Sequence, residues 1–145
     1  MNAKELRKAA LDLLSRREHT RQEISRKLST KAEDASVLND VLNSLQTERL
    51  QSDTRFVEAY VHIRFGKGYG PVRIKQELKE RGVSVEEIFM ALGAAEYDWF
   101  ALAVQVKNRK FGETKTKEPK VKAQQMRFLQ YRGFSSDHIK VSMEN

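Results

Sequence analysis

One stretch has the composition of a phosphate-binding loop: RFGKGYGPVRIKQELKERGV, residues 64–83, where three alternating glycines stand among six cations. Glycine-rich loops of enzymes cradle phosphates, but a P-loop also needs Lys and then Ser or Thr after its last glycine. Pro71 and Val72 directly follow Gly70. A dinucleotide-binding loop follows a strand, whereas residues 56–65 have a helical pattern. The sequence therefore predicts a turn here and not a nucleotide-binding loop.

Other side chains capable of catalysis lack the partners that chemistry would need. The three histidines have no acidic residue at metal-ligand spacing, so we expect surface or half-buried side chains without ligand roles: His19, His62 and His138. No Ser-His-Asp arrangement is indicated, and the absence of cysteine excludes disulfides and thiolate metal sites. We expect a protein that is not an enzyme and that holds no cofactor or metal.

The glycine turn has the features of a docking surface. We expect a flexible connector from which Lys67 and Tyr69 project, followed by a helix that carries Lys75 and Lys79 on one face. Uncapped N–H groups near Val72 and Arg73 would add partial positive charge at the start of that helix. The turn is predicted to bind phosphate or acidic side chains.

The net charge of +7 is concentrated in two segments. Residues 64–81 carry +4 and residues 107–122 carry +5, whereas residues 82–106 carry −4. Clustered positive charge attracts polyanions and speeds encounter with them. The alternative is a solvated surface that only keeps the protein soluble.

Almost every stretch has the 3.6-residue spacing of apolar residues that is typical of helices. Capping boxes are predicted at Thr20 with Glu23 and at Ser84 with Glu87. Prolines stand at two predicted helix starts, and glycines stand at two predicted helix ends: Pro71, Pro119, Gly82 and Gly133. Nine helices are predicted, over residues 3–15, 20–29, 34–47, 53–65, 70–81, 85–94, 97–110, 119–131 and 135–143.

These signals recur with a period of 50 to 51 residues. Three apolar positions match at identical spacing in each copy: Leu28, Leu78 and Leu129; Leu38, Ile88 and Ile139; Leu42, Leu92 and Met143. The motifs LKERGVSVEEI and LQYRGFSSDHI are visibly related. The sequence predicts an all-α fold of three tandem three-helix repeats, residues 1–50, 51–95 and 96–145, forming an elongated body.

Two helices have predicted inward stripes that can be compared with the structure. On the fourth helix, Phe56, Tyr60 and Ile63 share a face. On the eighth helix the stripe includes Gln125 and Arg132 as well as apolar residues. Trp99, which begins the seventh helix within the acidic segment, is predicted to pack between repeats instead of stacking on a base.

Three motifs stand out: the block Lys67-Gly68-Tyr69-Gly70-Pro71, the block Arg109-Lys110-Phe111-Gly112, and RFLQYRGF. Through them the chain resembles the RecX family of bacterial regulators of the RecA recombinase. The resemblance is closest over residues 53–84 and covers almost the whole chain. It implies a curved, elongated protein that lodges in the groove of the RecA–DNA filament and inhibits strand exchange, ATP hydrolysis and co-protease activity. Single- and double-stranded DNA would be weaker partners, and the protein would be a cytoplasmic monomer that does not associate with membranes.

The charge map then assigns the contacts to two basic surfaces. The predicted filament- and DNA-binding residues are Arg64, Lys67, Tyr69, Arg73, Lys75, Lys79, Arg109, Lys110, Lys115, Lys117, Lys120 and Lys122. A competing hypothesis is a stand-alone DNA-binding protein of helix-turn-helix type, because three-helix units with a basic second helix look similar.

Overall fold

The computed structural model describes residues 1–144, and these residues form nine α-helices and no strand. The helices are α1 (Ala3–Arg16), α2 (Arg21–Leu28), α3 (Ala35–Thr47), α4 (Asp53–Gly66), α5 (Pro71–Glu80), α6 (Val85–Leu92), α7 (Trp99–Phe111), α8 (Pro119–Arg132) and α9 (Ser136–Glu144). The predicted all-α class is confirmed, with helix ends displaced by at most two residues. None of these helices is both long enough and apolar enough to cross a bilayer.

The helix boundaries have the local causes that the sequence indicates. Thr20 accepts a hydrogen bond from the Glu23 N–H, and the Glu23 carboxylate accepts one from the Thr20 N–H, which completes the predicted capping box. At the second predicted box, Ser84 accepts from the Glu87 N–H, but the Glu87 carboxylate accepts from the Thr54 hydroxyl. Prolines open α5 and α8 as expected.

The apolar positions of the 50-residue period form the interior. All members of the first two sets are buried: Leu28, Leu78, Leu129, Leu38, Ile88 and Ile139. In the third set Leu42 is buried, whereas Leu92 and Met143 are half-buried. The periodic residues therefore mark equivalent core positions along the chain, as expected for tandem three-helix repeats.

The chain divides into two compact units. The first consists of Met1–Ala59 with Leu78–Glu87, and its core gathers aliphatic side chains from α1, α2 and α3: Leu6, Ala10, Ile24, Leu28, Leu38, Val41, Leu42 and Leu45. The second consists of Tyr60–Glu77 and the chain from Ile88 onward. In the second unit α7 packs more extensively on α9 than on α8.

The inward stripe predicted for α4 is partly wrong. Phe56 is buried and Tyr60 is half-buried, but Ile63 is 53% exposed. The stripe continues through Val57 and Val61, which are 2% and 0% exposed. In a short helix, steps of four and three residues fit the face with Ile63 and the face with Val57 and Val61 equally well. Periodicity alone therefore does not show which of the two faces is buried.

His19 also departs from the expected surface or half-buried state, because it is 2% exposed. Its Nδ1 lies 3.0 Å from the Arg17 carbonyl oxygen, and its Nε2 lies 3.4 Å from the Lys27 Nζ. This geometry fits a neutral ring that donates through Nδ1 and accepts through Nε2. Burial lowers the pKa of His19 below the ordinary 6.5, and the nearby Arg17 and Lys27 charges lower the pKa further.

The orientation of α4 predicts that truncating two of its aliphatic side chains lowers the free energy of unfolding by different amounts. Val61→Ala should lower the free energy of unfolding by about 2 kcal/mol, because it leaves a cavity in a packed interior. Ile63→Ala should change it by less than about 0.5 kcal/mol, because the side chain is exposed. Chemical denaturation of both variants measures the difference. Equal losses would contradict the assigned inward face.

The lowered pKa of His19 predicts a pH dependence of stability. Unfolded His19 takes up a proton near pH 6.5 and folded His19 does so only at a lower pH, so stability present above pH 6.5 is lost as the pH falls. The free energy of unfolding should therefore decrease between pH 7 and 5.5, and the decrease should be smaller in His19→Asn. His138, whose pKa burial also lowers, should contribute a further part of the decrease. An unchanged slope in His19→Asn would contradict this assignment.

Candidate nucleic-acid interface

Three arginines surround the ring of Tyr69 in the glycine turn. The guanidinium carbons of Arg64, Arg73 and Arg132 lie 3.8, 4.5 and 4.8 Å from the ring centroid. Cation–π attraction stabilises guanidinium groups at this distance and holds them in fixed positions. The sequence elements that supply them are α4, α5 and α8, so one aromatic side chain gathers cations from three helices.

One carboxylate lies against this cluster. Glu77 accepts hydrogen bonds from Arg64 at 2.7 and 3.0 Å and from the Tyr60 hydroxyl at 3.0 Å, and the Arg73 Nε lies 3.6 Å away. Arg64 is thus engaged in a two-point ion pair. Three guanidinium groups against one carboxylate leave two positive charges in excess, which favours an external anion. We call Tyr69 with Arg64, Arg73, Arg132 and Glu77 the Tyr69 cluster.

Backbone contacts explain how Arg132 reaches Tyr69. The Gly70 N–H donates to the Arg132 carbonyl at 2.8 Å, and the Val72 N–H donates to the Gly133 carbonyl at 2.9 Å. Arg132 also donates from its side chain to the Lys67 carbonyl at 3.2 Å. The end of α8 is therefore fastened to the glycine turn at two points and to the first turn of α5 at a third.

These contacts correct two expectations about the turn. It is not a free connector, because Gly70 lies where an added Cβ would stand 2.4 Å from the Gly133 backbone. The Val72 N–H is not available to a ligand, because the Gly133 carbonyl already accepts from it. Glycine at position 70 is needed for close approach of two backbones. The positive charge here comes from guanidinium groups held in place by a rigid turn.

The remaining predicted contact residues lie on exposed helix surfaces and in one loop. Lys67, Lys75 and Lys79 are exposed along the turn and α5, and Arg109 and Lys110 are exposed in the last turn of α7. Four further lysines are exposed between α7 and the second turn of α8: Lys115, Lys117, Lys120 and Lys122. The structure brings Arg64, Arg73 and Tyr69 into one cluster, whereas these other residues are distributed along the chain.

Lys110 has a specific aromatic neighbour. Its Nζ lies 4.8 Å from the centroid of the Phe128 ring, and the Phe111 ring packs edge-on against the same ring at 5.4 Å. The Arg132 guanidinium is 5.5 Å from that centroid on α8 itself. Phe128 therefore links the end of α7 to the middle of α8.

Two cations behave differently from what the sequence predicts. The sequence predicts Arg132 on an inward stripe of α8 and not on the binding surface, whereas the structure places it, half-buried, in the Tyr69 cluster. Lys107 contributes to the basic segment 107–122 but is 1% exposed. Repetition was the available signal for Arg132, since Arg81-Gly82 and Arg132-Gly133 occupy equivalent positions.

The aromatic residues at the start of α7 pack as expected. Trp99 is 9% exposed, donates from Nε1 to the Leu92 carbonyl at 2.8 Å, and lies edge-on to Phe65 with ring centroids 5.2 Å apart. Tyr97 stands 5.0 Å from Phe65 in the same cluster. The predicted packing role of Trp99 is confirmed. Within residues 1–144, no three His, Asp or Glu side chains are grouped as metal ligands would be.

Each of the three predicted repeats matches a model of a known protein family. Models of the first, second and third three-helix domains of RecX match residues 7–45, 52–92 and 96–141. Curated relatives carry the description regulatory protein RecX. The chain is 41% identical over 134 residues to that of Pseudomonas entomophila, covering 92% of this chain and 86% of the relative. It is 42% identical over 137 residues to that of Halorhodospira halophila, covering 94% and 85%.

Solved structures show the same fold. The crystal structure of RecX from Lactobacillus salivarius matches with a TM-score of 0.83 at 23% identity, covering 98% of this chain and 94% of that one. A second crystal structure, of a regulatory protein RecX, matches with a TM-score of 0.81 at 21% identity, covering 99% and 72%.

The close approach at Gly70 predicts a matched pair of glycine substitutions. Gly70→Ala should lower the thermal unfolding midpoint by several degrees, because its Cβ meets fixed backbone that cannot turn away. Gly66→Ala, whose Cβ would meet nothing within 4 Å, should leave the midpoint unchanged or slightly raised. Calorimetry of both variants provides the test. Similar midpoints in the two would contradict the proposed fastening of the turn.

Proposed function

Because this chain belongs to the RecX family of regulatory proteins, we propose that it binds the RecA–DNA filament in its helical groove. Bound there, it inhibits strand exchange, ATP hydrolysis and co-protease activity and thereby modulates DNA repair. It acts as a monomer in the cytoplasm, where the filament forms. The observation that carries the proposal is the Tyr69 cluster, in which three guanidinium groups converge beside a single carboxylate.

The chemistry of the cluster suits a phosphodiester backbone. Guanidinium groups offer planar pairs of donors that match phosphate oxygens, and they stay charged at any physiological pH. Glu77 is shared by Arg64, through two hydrogen bonds, and by Arg73, whose Nε lies 3.6 Å away, so the three guanidinium groups together keep two uncompensated positive charges. Their positions are set before binding by Tyr69 and by the fastened turn. A ligand therefore meets an ordered site and little side-chain entropy is lost on binding.

The lysine-rich connector supplies the second contact surface. Lys115, Lys117, Lys120 and Lys122 are exposed, and no ion pair is present at any of them in the described residues. Flexible ammonium groups bind phosphate or carboxylate as point charges without fixed geometry. They suit a surface composed of both DNA phosphates and acidic protein side chains. Free DNA offers only the phosphates, so we expect a weaker affinity for it.

A recombinase ATPase assay on single-stranded DNA separates the proposed function from plain DNA binding. Titration of this protein into RecA on a fixed amount of DNA should inhibit ATP hydrolysis at well below one protein per RecA subunit. Excess free duplex should leave most of that inhibition intact. Inhibition that appears only when DNA is saturated, and disappears when duplex is in excess, would instead favour a stand-alone DNA-binding protein.

Charge reversal in the connector gives a residue-level prediction. Changing Lys115, Lys117 and Lys120 to Glu should raise the inhibitory concentration by about tenfold or more and flatten its dependence on salt, because fewer counterions are released. The matched control changes Lys4, Lys8 and Lys31 to Glu, which alters the net charge equally on exposed residues of the first unit. Unchanged inhibition in the connector variant, or an equal loss in the control, would remove the connector from the site.

A further inference from the structure

Tyr131, in the last turn of α8, is an aromatic side chain that lies largely in solvent beside the Tyr69 cluster. It is 75% exposed, and it directly precedes Arg132 of that cluster. A single exposed apolar residue is common on protein surfaces and indicates nothing by itself. A role for Tyr131 must therefore rest on its neighbours.

Arg73 covers one side of the Tyr131 ring. Its guanidinium carbon lies 5.2 Å from the ring centroid, and its Nη1 donates to the Tyr131 carbonyl at 3.3 Å. The same guanidinium carbon lies 4.5 Å from the centroid of Tyr69. Arg73 therefore contacts two tyrosine rings, one in the glycine turn and the other at the end of α8. Cation–π attraction holds the guanidinium group and the Tyr131 ring together before any ligand binds.

The two rings differ in what can reach them. Tyr69 is half-buried and has three guanidinium carbons within 4.8 Å of its centroid. Tyr131 is 75% exposed, so the ring face opposite Arg73 is open to solvent. Of these two rings, Tyr131 is the one on which an external planar group can stack.

The equivalent position of the second repeat carries a different side chain. Aligning the Arg-Gly pairs at the ends of α5 and α8 places Tyr131 at the position of Glu80, which is also exposed. The backbone contact is the same in both repeats: Arg26 donates to the Glu80 carbonyl at 2.9 Å, as Arg73 does to the Tyr131 carbonyl. This contact forms whether the side chain is a carboxylate or a ring. The fold therefore does not require an aromatic residue at position 131.

A nucleotide of a single strand offers both groups that this arrangement can bind. Its phosphate oxygens accept hydrogen bonds from guanidinium groups, and its base has a flat face that stacks on aromatic side chains. Because Arg73 contacts the Tyr131 ring, a strand whose phosphate is bound by the Tyr69 cluster brings its bases beside that ring. The bases of a duplex are already stacked on one another and paired. An acidic peptide offers carboxylates but no base.

We propose that Tyr131 is a stacking platform for one unpaired base of a nucleic-acid strand whose phosphate is bound by the Tyr69 cluster. This inference rests on the proposed function, because both require a polyanion at that cluster. Stacking accepts every base, since each base has a π-face. Tyr131 therefore favours single strands over duplex without selecting a sequence.

Strands with and without bases test the proposal on the full chain. Fluorescence anisotropy at one salt concentration should show that the wild-type protein binds an oligothymidylate about tenfold more tightly than an abasic strand of the same length. Tyr131→Ala should bind the two strands alike, whereas Tyr131→Phe, which keeps a ring, should retain the difference. If Tyr131 only holds Arg73 in place, Tyr131→Ala will weaken both strands by the same factor. That result, or a wild-type protein that binds no oligothymidylate or does not distinguish the two strands, would overturn the proposal.

Phe89→Ala is the matched control. Phe89 is an equally exposed aromatic residue, at 78%, but it stands on α6 shortly after Glu86 and Glu87. Its truncation should leave the difference between the two strands as in the wild type. Loss of that difference in Phe89→Ala would show that stacking is not particular to Tyr131 and would overturn the assignment.

Three further measurements on Tyr131→Ala separate stacking from a structural role. The unfolding midpoint should not change, because the side chain is exposed. The salt slope of oligothymidylate binding should not change either, because no phosphate contact is removed. Affinity for duplex should stay within about twofold of the wild type, because paired bases are not available for stacking. A smaller slope, a lower midpoint or an equal loss of duplex affinity would assign Tyr131 to the support of Arg73 and overturn the platform.

Photocrosslinking places the base directly. An oligothymidylate with one 5-iodouracil should, on irradiation, attach to Tyr131, as read by mass spectrometry of the digested protein. Attachment only at other residues would contradict the platform. None of these assays contains a recombinase, so loss of filament inhibition alone would leave the platform standing. Conversely, a Tyr131→Ala variant that still distinguishes the two strands removes the platform and leaves the proposed function untouched.

Discussion

The fold depends on one contact that is made twice: an Arg-Gly turn that ends the second helix of one repeat lies against the start of the second helix of the repeat before it. In the first unit the Thr20 hydroxyl donates to the Arg81 carbonyl at 2.7 Å, and in the second unit the Gly70 N–H donates to the Arg132 carbonyl at 2.8 Å. The following glycines, at φ of +82° and +97°, turn the chain through a left-handed conformation. A short helix cannot bury its apolar face alone, so neighbouring repeats gain stability from these hydrogen bonds to the arginine carbonyls.

Equivalent positions in the second and third repeats make different contacts. Where α4 and α5 place Arg64 against Glu77 in a two-point ion pair, α7 and α8 place Lys110 over the Phe128 ring. The ion pair consumes a cation, whereas the aromatic ring lets the ammonium group keep its charge for an external anion. At this position, the exchange of a carboxylate for a ring leaves the third repeat with one more uncompensated positive charge.

The helices, most of their caps and the repeat could be predicted because they depend on neighbours three or four residues apart. The exposure of Ile63, the close packing of the glycine turn and the position of Arg132 could not be predicted. Each of them depends on which part of the chain packs against it. Periodicity does not say which of two adjacent stripes on α4 meets the core, and glycine content does not distinguish a mobile loop from two backbones in close contact. Lys107 misled the charge map for the same reason, because net charge along a sequence carries no information on burial.

The three guanidinium groups around Tyr69 affect whether this site can distinguish one nucleotide base from another. Three guanidinium groups lie between 3.8 and 4.8 Å from its ring centroid, so the face that a base would stack on is already occupied. The groups that a ligand can reach are charged guanidinium donors, which suit phosphate oxygens. Phosphate groups are the same at every nucleotide. If the Tyr69 cluster contacts a nucleic acid as proposed, it should bind adenine-rich and guanine-rich strands equally, because it reads the phosphates and not the bases.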